Sequence, residues 1–437
     1  MRLKKLIVKN FKSLKECEVE LGKFNVLIGP NASGKTNLVE VFKLLRKIYV
    51  DHDTNPFLEW WGYNNVVWAG KEELPITVGM LFDVEGYDVY FETTFIGTGG
   101  SFQILKEVIE VKDYLKIEKQ GKLLSVSYSP TWFDKALKKL PPHVENRLFD
   151  KISLQFHDNE YMLPERCADF TVLDICTSME GIYSQDKNVA YSLCYPCQVH
   201  MFTFPLMSPS IVLQENTRVP LHFEVPIRLR QLFSTVLTLR QILIKTTKTP
   251  QYPRKETTLS EDASNLIPLL YNIWLREGRL PEEIAEPLSI AFPNTRVFFQ
   301  LTEDGRVMMK VFENDLELAP PGISDGFYKV LAILTAAYLK HPLLIIDEIE
   351  NSLHPETLEL IIDTLRESES QVIITTHSPV VVDIVEPSDL VLVDKENGET
   401  VFKRIKDPEK IKKFLNEKGI TLSEGWLYGS LFENDEQ

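Results

Sequence analysis

Cysteine is scarce in this chain. Five in 437 residues exclude a disulfide scaffold, and the odd number leaves at least one thiol without a partner in the chain. Long apolar runs are missing too: the stretch at Pro342–Ile346 and its neighbours falls far short of the ~20 residues that a membrane-spanning helix needs. The opening residues Met1-Arg2-Leu3-Lys4-Lys5-Leu6-Ile7-Val8-Lys9 are basic, with no long apolar core and no small-residue cleavage site. No secretory signal is expected, and the expected compartment is the cytoplasm. Positive charge is in deficit, 48 Lys and Arg against 63 Asp and Glu, net −15. That balance argues against a protein that coats nucleic acid with its whole surface, while leaving room for a local basic groove. Internal repeats, low-complexity segments and sustained heptads are also missing. The chain does have 44% hydrophobic and 25% charged residues. These values exclude disorder throughout and leave room for two or three structural units.

The first 48 residues read as strand, strand, buried strand, Gly-rich loop and helix. Leu3–Phe11 and Cys17–Leu21 partly alternate, Phe24–Ile28 is mostly apolar, and Thr36–Ile48 has apolar residues at helical spacing. Residues 76–111 are rich in β-branched and aromatic side chains and predict antiparallel strands. The pattern predicts helices at Arg228–Thr246, Ser264–Glu277 and Pro281–Ala291, and a hairpin of Val297–Leu301 with Val307–Val311 around Asp304-Gly305. From Ser324 the order becomes α/β: helix Gly326–Leu339, strand Leu343–Ile346, helix Pro355–Arg366, strands Gln371–Thr375 and Leu390–Val393.

Gly29-Pro30-Asn31-Ala32-Ser33-Gly34-Lys35-Thr36 fits G-x-x-x-x-G-K-[ST], between a buried strand and a helix, with Asn37 next in line. The glycines let backbone N–H groups turn inward around phosphates, and the helix N-terminus adds positive potential. Lys35 would reach the β- and γ-phosphates of ATP, and the Thr36 hydroxyl would bind Mg²⁺. The apolar strand Leu343–Ile346 ends in Asp347-Glu348. Asp347 is placed to hold Mg²⁺ opposite Thr36, and Glu348 to orient or deprotonate the attacking water. His377 follows the buried strand Gln371–Thr375, at the carboxyl end where ligands bind in open α/β sheets. Ser324 is a good N-cap for the helix after it, whose N-terminus suits an anion.

These elements, in this order, resemble the ABC-type ATPase heads of the SMC, RecF and OLD families. Leu6–Leu14 looks like their first strand and Gly29–Asn37 like their phosphate loop. Ser324-Asp325-Gly326 looks like the signature motif, Asp347-Glu348 the Walker B pair, Asn351–Pro355 the D-loop and Thr376–Pro379 the switch histidine. Glu261–Leu266 also resembles a segment of OLD-like ATPases. Lys35 and Ser324 are 289 residues apart, far wider than in a transporter subunit. With no heptads between them, a globular insertion and the OLD-like group fit best. Asp325 and Phe327 depart from the usual Gly and Gln of the signature, while Ser324 and Gly326 remain. The resemblance implies a Q-loop glutamine, with Gln103, Gln120 and Gln155 as candidates. Full OLD nucleases carry a metal-nuclease domain after the switch histidine; the 60 residues after His377 are too few for one and hold no D-x-D pair.

The expected fold is therefore an α/β ABC-type P-loop ATPase head with a strand-rich N-terminal lobe and an inserted mixed α+β middle domain. Its expected parts are 1–110 and 256–437 for the head and 111–255 for the insertion. The resemblance implies a head-to-tail dimer around two ATP molecules. Each site would take Lys35, Thr36, Asp347, Glu348 and His377 from one chain and Ser324 and Gly326 from the other. The implied role is an ATP-driven switch in DNA maintenance or anti-phage defence, working with a separate nuclease or toxin effector. The alternative is a nucleotide-dependent scaffold with negligible hydrolysis. Weaker signals stay open. Cys167, Cys176, Cys194 and Cys197 supply one C-x-x-C and two scattered thiols, read as a zinc site, a disulfide or idle thiols. Residues 225–255 hold seven basic residues and no acidic one, either a strip for a DNA or RNA backbone or a face packed on acidic neighbours. Trp60, Trp61 and Tyr63 read as core or interface packing, or as a base-stacking cluster.

Overall fold

The computed structural model describes residues 1–129, 159–163, 171–177, 179–183, 190–194, 199–203, 210–212, 218–314 and 316–429. The chain opens with β1 (Arg2–Phe11), β2 (Leu14–Glu20), β3 (Phe24–Ile28) and α1 (Lys35–Tyr49). Then come β4 (Ile76–Val84), β5 (Tyr87–Ile96), β6 (Gln103–Val111), β7 (Leu115–Gln120), β8 (Leu123–Tyr128), β9 (Asn159–Met162) and α2 (Val172–Thr177). Five short strands follow, β10 (Met179–Tyr183), β11 (Ala190–Cys194), β12 (Val199–Thr203), β13 (Ser210–Val212) and β14 (Arg218–Pro220). Next are α3 (Leu221–Thr235), β15 (Leu237–Leu239), α4 (Ile244–Thr247), α5 (Leu266–Glu277), α6 (Glu282–Ala291), β16 (Thr295–Leu301), β17 (Val307–Glu313) and β18 (Leu316–Leu318). The last part runs α7 (Asp325–Tyr338), β19 (Leu343–Ile346), α8 (Pro355–Glu367), β20 (Gln371–Thr376), α9 (Pro379–Ile384), β21 (Leu390–Glu396), β22 (Glu399–Arg404), α10 (Pro408–Lys418) and α11 (Leu422–Leu427).

The chain forms two compact units, one of residues 1–20 and 40–234, the other of 21–39 and 235–437. The first unit is built on an antiparallel sheet ordered β2-β1-β4-β5-β6-β7-β8-β9. Its strands alternate inward apolar with outward polar residues, as in β5, where Val89, Phe91 and Phe95 are buried. Tyr49, Phe91 and Phe233 meet with ring centroids 5.4–5.6 Å apart.

The second unit holds the sheet β15-β19-β20-β3-β21-β22, parallel from β15 to β21 and closed by antiparallel β22. Its central strands are continuous apolar runs because both faces are covered, and β3 and β19 are buried at every residue. One hydrophobic core carries Val26, Ile28, Leu266, Leu270, Leu331, Ile346, Ile361 and Ile374. The hairpin expected at 297–311 is β16–β17, with Val297 opposite Val311.

The helix expected over Arg228–Thr246 is a correction. Helix α3 stops at Thr235, and Leu237–Leu239 form β15, paired with β19. Leu237 and Leu239 are buried in the sheet, so tertiary pairing overrides helical spacing here. The basic run of 225–255 is accordingly split. Arg228 pairs with Glu224 and Glu85, Arg230 lies 3.4 Å from Asp174, Arg240 pairs with Asp347 and Lys248 with Asp325. Four of its seven cations face carboxylates, which weakens the reading as a strip for nucleic acid. Trp60 stands edge-on to Phe11, while Trp61 is 89% exposed. Cys167 and Cys197 lie outside the described residues, and Cys176 and Cys194 are described only in their backbone. Among the described residues no His, Cys, Asp and Glu group of three or more is arranged to hold a metal ion, and no helix is long and apolar enough to cross a membrane.

Candidate functional site: a phosphate-loop crevice

The carboxyl ends of β3, β19 and β20 carry, in turn, the glycine-rich loop, Asp347-Glu348 and His377. The parallel order that brings them side by side is the one that opens a ligand crevice at that edge. A crevice of about 300 Å³ is lined by Asn31–Asn37, Asp347, Glu348, Thr375 and Lys395. An adjoining one is lined by Thr36, Arg240, Gln241, Ile242, Lys329, Asp347, Glu348, Asn351 and Ser352.

The loop is tied down from three sides. A Cβ on Gly29 would come 2.0 Å from the Val393 carbonyl, so only glycine fits where the loop leaves β3. Gly34 has φ 110°, where an L side chain is strained. The Thr400 hydroxyl donates to the buried Ser33 carbonyl at 2.7 Å. Lys35 Nζ donates to the carbonyls of Gly29 at 2.7 Å and Pro30 at 2.9 Å. Burial lowers the Lys35 pKa, against the opposing pull of Asp347, Glu350 and Glu348.

Asp347 and Glu348 are held differently. The Thr375 hydroxyl donates to Asp347 Oδ1 and accepts from the Glu348 N–H at 2.9 Å. Arg240 Nε donates to Asp347 Oδ2 at 3.2 Å. Glu348 has φ 51°, a left-handed conformation costing a non-glycine residue about 1–3 kcal/mol, which surrounding contacts must offset. Asn351 Nδ2 donates to Glu348 Oε2 at 2.8 Å, and Lys329 Nζ to the Glu348 carbonyl at 3.0 Å. Burial pushes the Lys329 ammonium down to about 8.

The crevice collects Asn31 to Asn37, Asp347 and Glu348 but not the other sequence candidates. His377 sits past β20 with Nδ1 3.0 Å from Glu350 Oε1, and its N–H donates to the same oxygen at 2.9 Å. Ser324 caps α7, accepting from the Phe327 N–H at 3.2 Å. Gly326 packs against the 349–353 turn, where an added Cβ would lie 2.8 Å from the Ser352 carbonyl.

Sequence reasoning missed the place of Arg240, read only as part of the basic run, and missed Gln241, Lys329 and Thr375. The first two were hidden by reading β15 as helix; the last two lie inside apolar elements and carry no motif. Gln103 and Gln120 sit in the first unit's antiparallel sheet, and Gln155 lies outside the described residues.

A family model described as "AAA ATPase domain" matches residues 1–125, and one described as "AAA domain, putative AbiEii toxin, Type IV TA system" matches 224–383. The DNA replication and repair proteins RecF of Vibrio campbellii and Vibrio parahaemolyticus are each 48% identical over 46 residues, 10% of this chain. The matched segment spans 13% of those relatives' own length. Among solved structures, an SMC head bound to the C-winged helix domain of ScpA is 14% identical with TM-score 0.48, over 94% of this chain and all of that one. The SMC head domain from Thermotoga maritima is 13% identical with TM-score 0.42, over 93% of this chain and all of that one. The parallel sheet, its phosphate loop and the two AAA-domain matches together give the coarse class, an α/β P-loop ATPase domain. Short stretches of the chain are similar to RecF, and the family models that match are ATPase domains.

Proposed function

We propose that this chain binds and hydrolyses ATP as a head-to-tail dimer switch. It would act in DNA maintenance or anti-phage defence with a separate effector, and closest in kind to the OLD-like group. The observation that carries the reading is the convergence of the phosphate loop, Thr36, Asp347 and Glu348 in one crevice. The Thr36 hydroxyl and the Asp347 carboxylate are hard oxygen donors lining the same space, the donor type Mg²⁺ takes. When bound, Mg²⁺ would neutralise charge on the phosphates. The loop N–H groups and Lys35 would bind the phosphates, and Glu348 would accept the proton of the attacking water. Gln241, beside Thr36 in the adjoining crevice, takes the Q-loop role in this reading. His377 would reach the γ-phosphate only by leaving Glu350, and Ser324 and Gly326 would serve the opposing site.

The RecF-named relatives support the DNA side, and the toxin-system description of the second family model supports an effector. The expected compartment is the cytoplasm.

The test is ATP turnover of pure protein, alone and with duplex DNA. Glu348→Gln should keep ATP binding and lower turnover at least a hundredfold, and Lys35→Ala should abolish both; near-normal turnover in Glu348→Gln removes its assigned role. A nucleotide-held scaffold with negligible hydrolysis is the second reading. The Arg240–Asp347 ion pair favours it, because it engages the carboxylate that Mg²⁺ would need.

A further inference from the structure

Helix α7 is almost wholly apolar where it enters the core, and every residue from Phe327 to Ala337 is buried. Lys329 is the one basic residue in that span, 7% exposed. An ammonium in such a place is costly unless it is paired and hydrogen-bonded. Glu350, Glu348 and Asp347 lie close enough to stabilise its charge, yet its ammonium donates to a backbone oxygen, the Glu348 carbonyl. That carbonyl belongs to the residue with φ 51°. The N–H of the same residue is held by Thr375 and its carboxylate by Asn351. Glu348 is thus held at its N–H, its carboxylate and its carbonyl, which also accepts from the Asn351 N–H at 3.2 Å, and only the Lys329 bond comes from α7. Three residues earlier on the helix, Gly326 lies so close to the Ser352 carbonyl that no side chain fits between. The start of one helix therefore touches the turn after β19 both at Glu348 and at Ser352.

We propose that Lys329 is a positioning residue. By holding the Glu348 carbonyl it keeps that residue in its left-handed conformation, with the carboxylate turned toward the crevice, and it links the signature helix to the carboxylate of the same chain. The proposal rests on the ATPase reading for its effect on turnover, but not for its effect on the turn.

The test uses the full chain with Lys329→Met, which keeps length and removes the donor. Two readouts are taken: steady-state ATP turnover, and amide hydrogen exchange across 347–353. The expected result is kcat lowered at least tenfold with the KM for ATP within twofold. Exchange at 348–353 should be at least tenfold faster, with β20 and α8 unchanged. In a Glu348→Gln background the same substitution should lower kcat no further. Exchange as in the wild type overturns the proposal, and so does turnover within twofold of it, or a loss carried by KM instead of kcat. Should Lys329→Met fail to fold by circular dichroism, Lys329→Gln, whose amide falls short of Glu348, takes its place with the same criteria. Wild-type protein without turnover sensitive to Lys35→Ala would defeat the ATPase reading instead. The positioning role would then stand or fall on exchange alone.

Discussion

At Asp347 two groups compete for one carboxylate. Thr375 donates to Oδ1, a contact that leaves the charge intact, whereas Arg240 neutralises it from Oδ2 at 3.2 Å. Arg240 is about a third exposed, so solvent weakens the pair to roughly 1 kcal/mol. Removing it should make the carboxylate easier for Mg²⁺ to engage. Arg240→Ala is therefore expected to lower the Mg²⁺ concentration needed for half-maximal ADP binding by roughly fivefold, the ratio that ~1 kcal/mol gives. A fluorescent ADP titration against Mg²⁺ measures it, and an unchanged midpoint means that the pair does not hold in solution. Lys35, Thr36, Asp347 and Glu348 are legible in the sequence because each sits in a contiguous motif bound to one element. Arg240 and Lys329 are not, because their neighbours in space are 107 and 19 residues away.

Among the elements, β6 places a charge where the fold can least tolerate it. Glu107 is fully buried in the first unit. The Tyr49 hydroxyl donates to it at 2.7 Å and the Val172 N–H at 3.0 Å, with Lys119 Nζ 4.0 Å away. These contacts tie the end of α1 and the start of α2 to one strand. Burial pushes the Glu107 carboxyl up to about 7, from the 4.5 of an ordinary glutamate. Between those values the folded chain binds more protons than the unfolded one, so this group's contribution is greatest at low pH and is lost as pH rises toward 7. The shift corresponds to ~3 kcal/mol. Other carboxylates act in the opposite sense in acid, so the comparison is between wild type and Glu107→Gln. Urea unfolding should find the wild type gaining on the variant as pH falls from 8 to 5, and an equal difference at both pH values would mean that Glu107 is not buried as described. β15 teaches the complementary lesson: three residues long, it is too short for a period of 2 to register, and its pairing with β19 decides its conformation.

For the whole molecule, the proposed dimer makes a prediction that binding alone does not. Ser324 caps α7 and lies outside the residues that line the phosphate crevice. If it serves an opposing site, Ser324→Arg should leave the affinity for ATP within about threefold while abolishing ATP-dependent self-association of the Glu348→Gln protein in light scattering. A dimer that persists would assign the contact elsewhere. Lys248, paired with Asp325 at 2.8 Å, already places a cation on the residue next to Ser324, a feature that the run of basic residues disguised as part of a surface strip.

The amino-acid sequence by itself determined the phosphate loop, the acidic pair and the α/β order after Ser324. Each of these is local: a turn that only glycine can make, a strand buried on both faces, a cap at a helix start. Tertiary structure alone decided that β15 is a strand, that Gln241 lines the crevice, and that Arg240 and Lys329 bond to the acidic pair. It also decided that the chain divides with residues 21–39 joined to 235–437. The physical reason is the same in each case. Pairing and burial act between residues distant in the chain, 19 positions apart for Lys329 and 107 for Arg240, and they select among local conformations whose intrinsic free energies differ by no more than about 1 kcal/mol per residue.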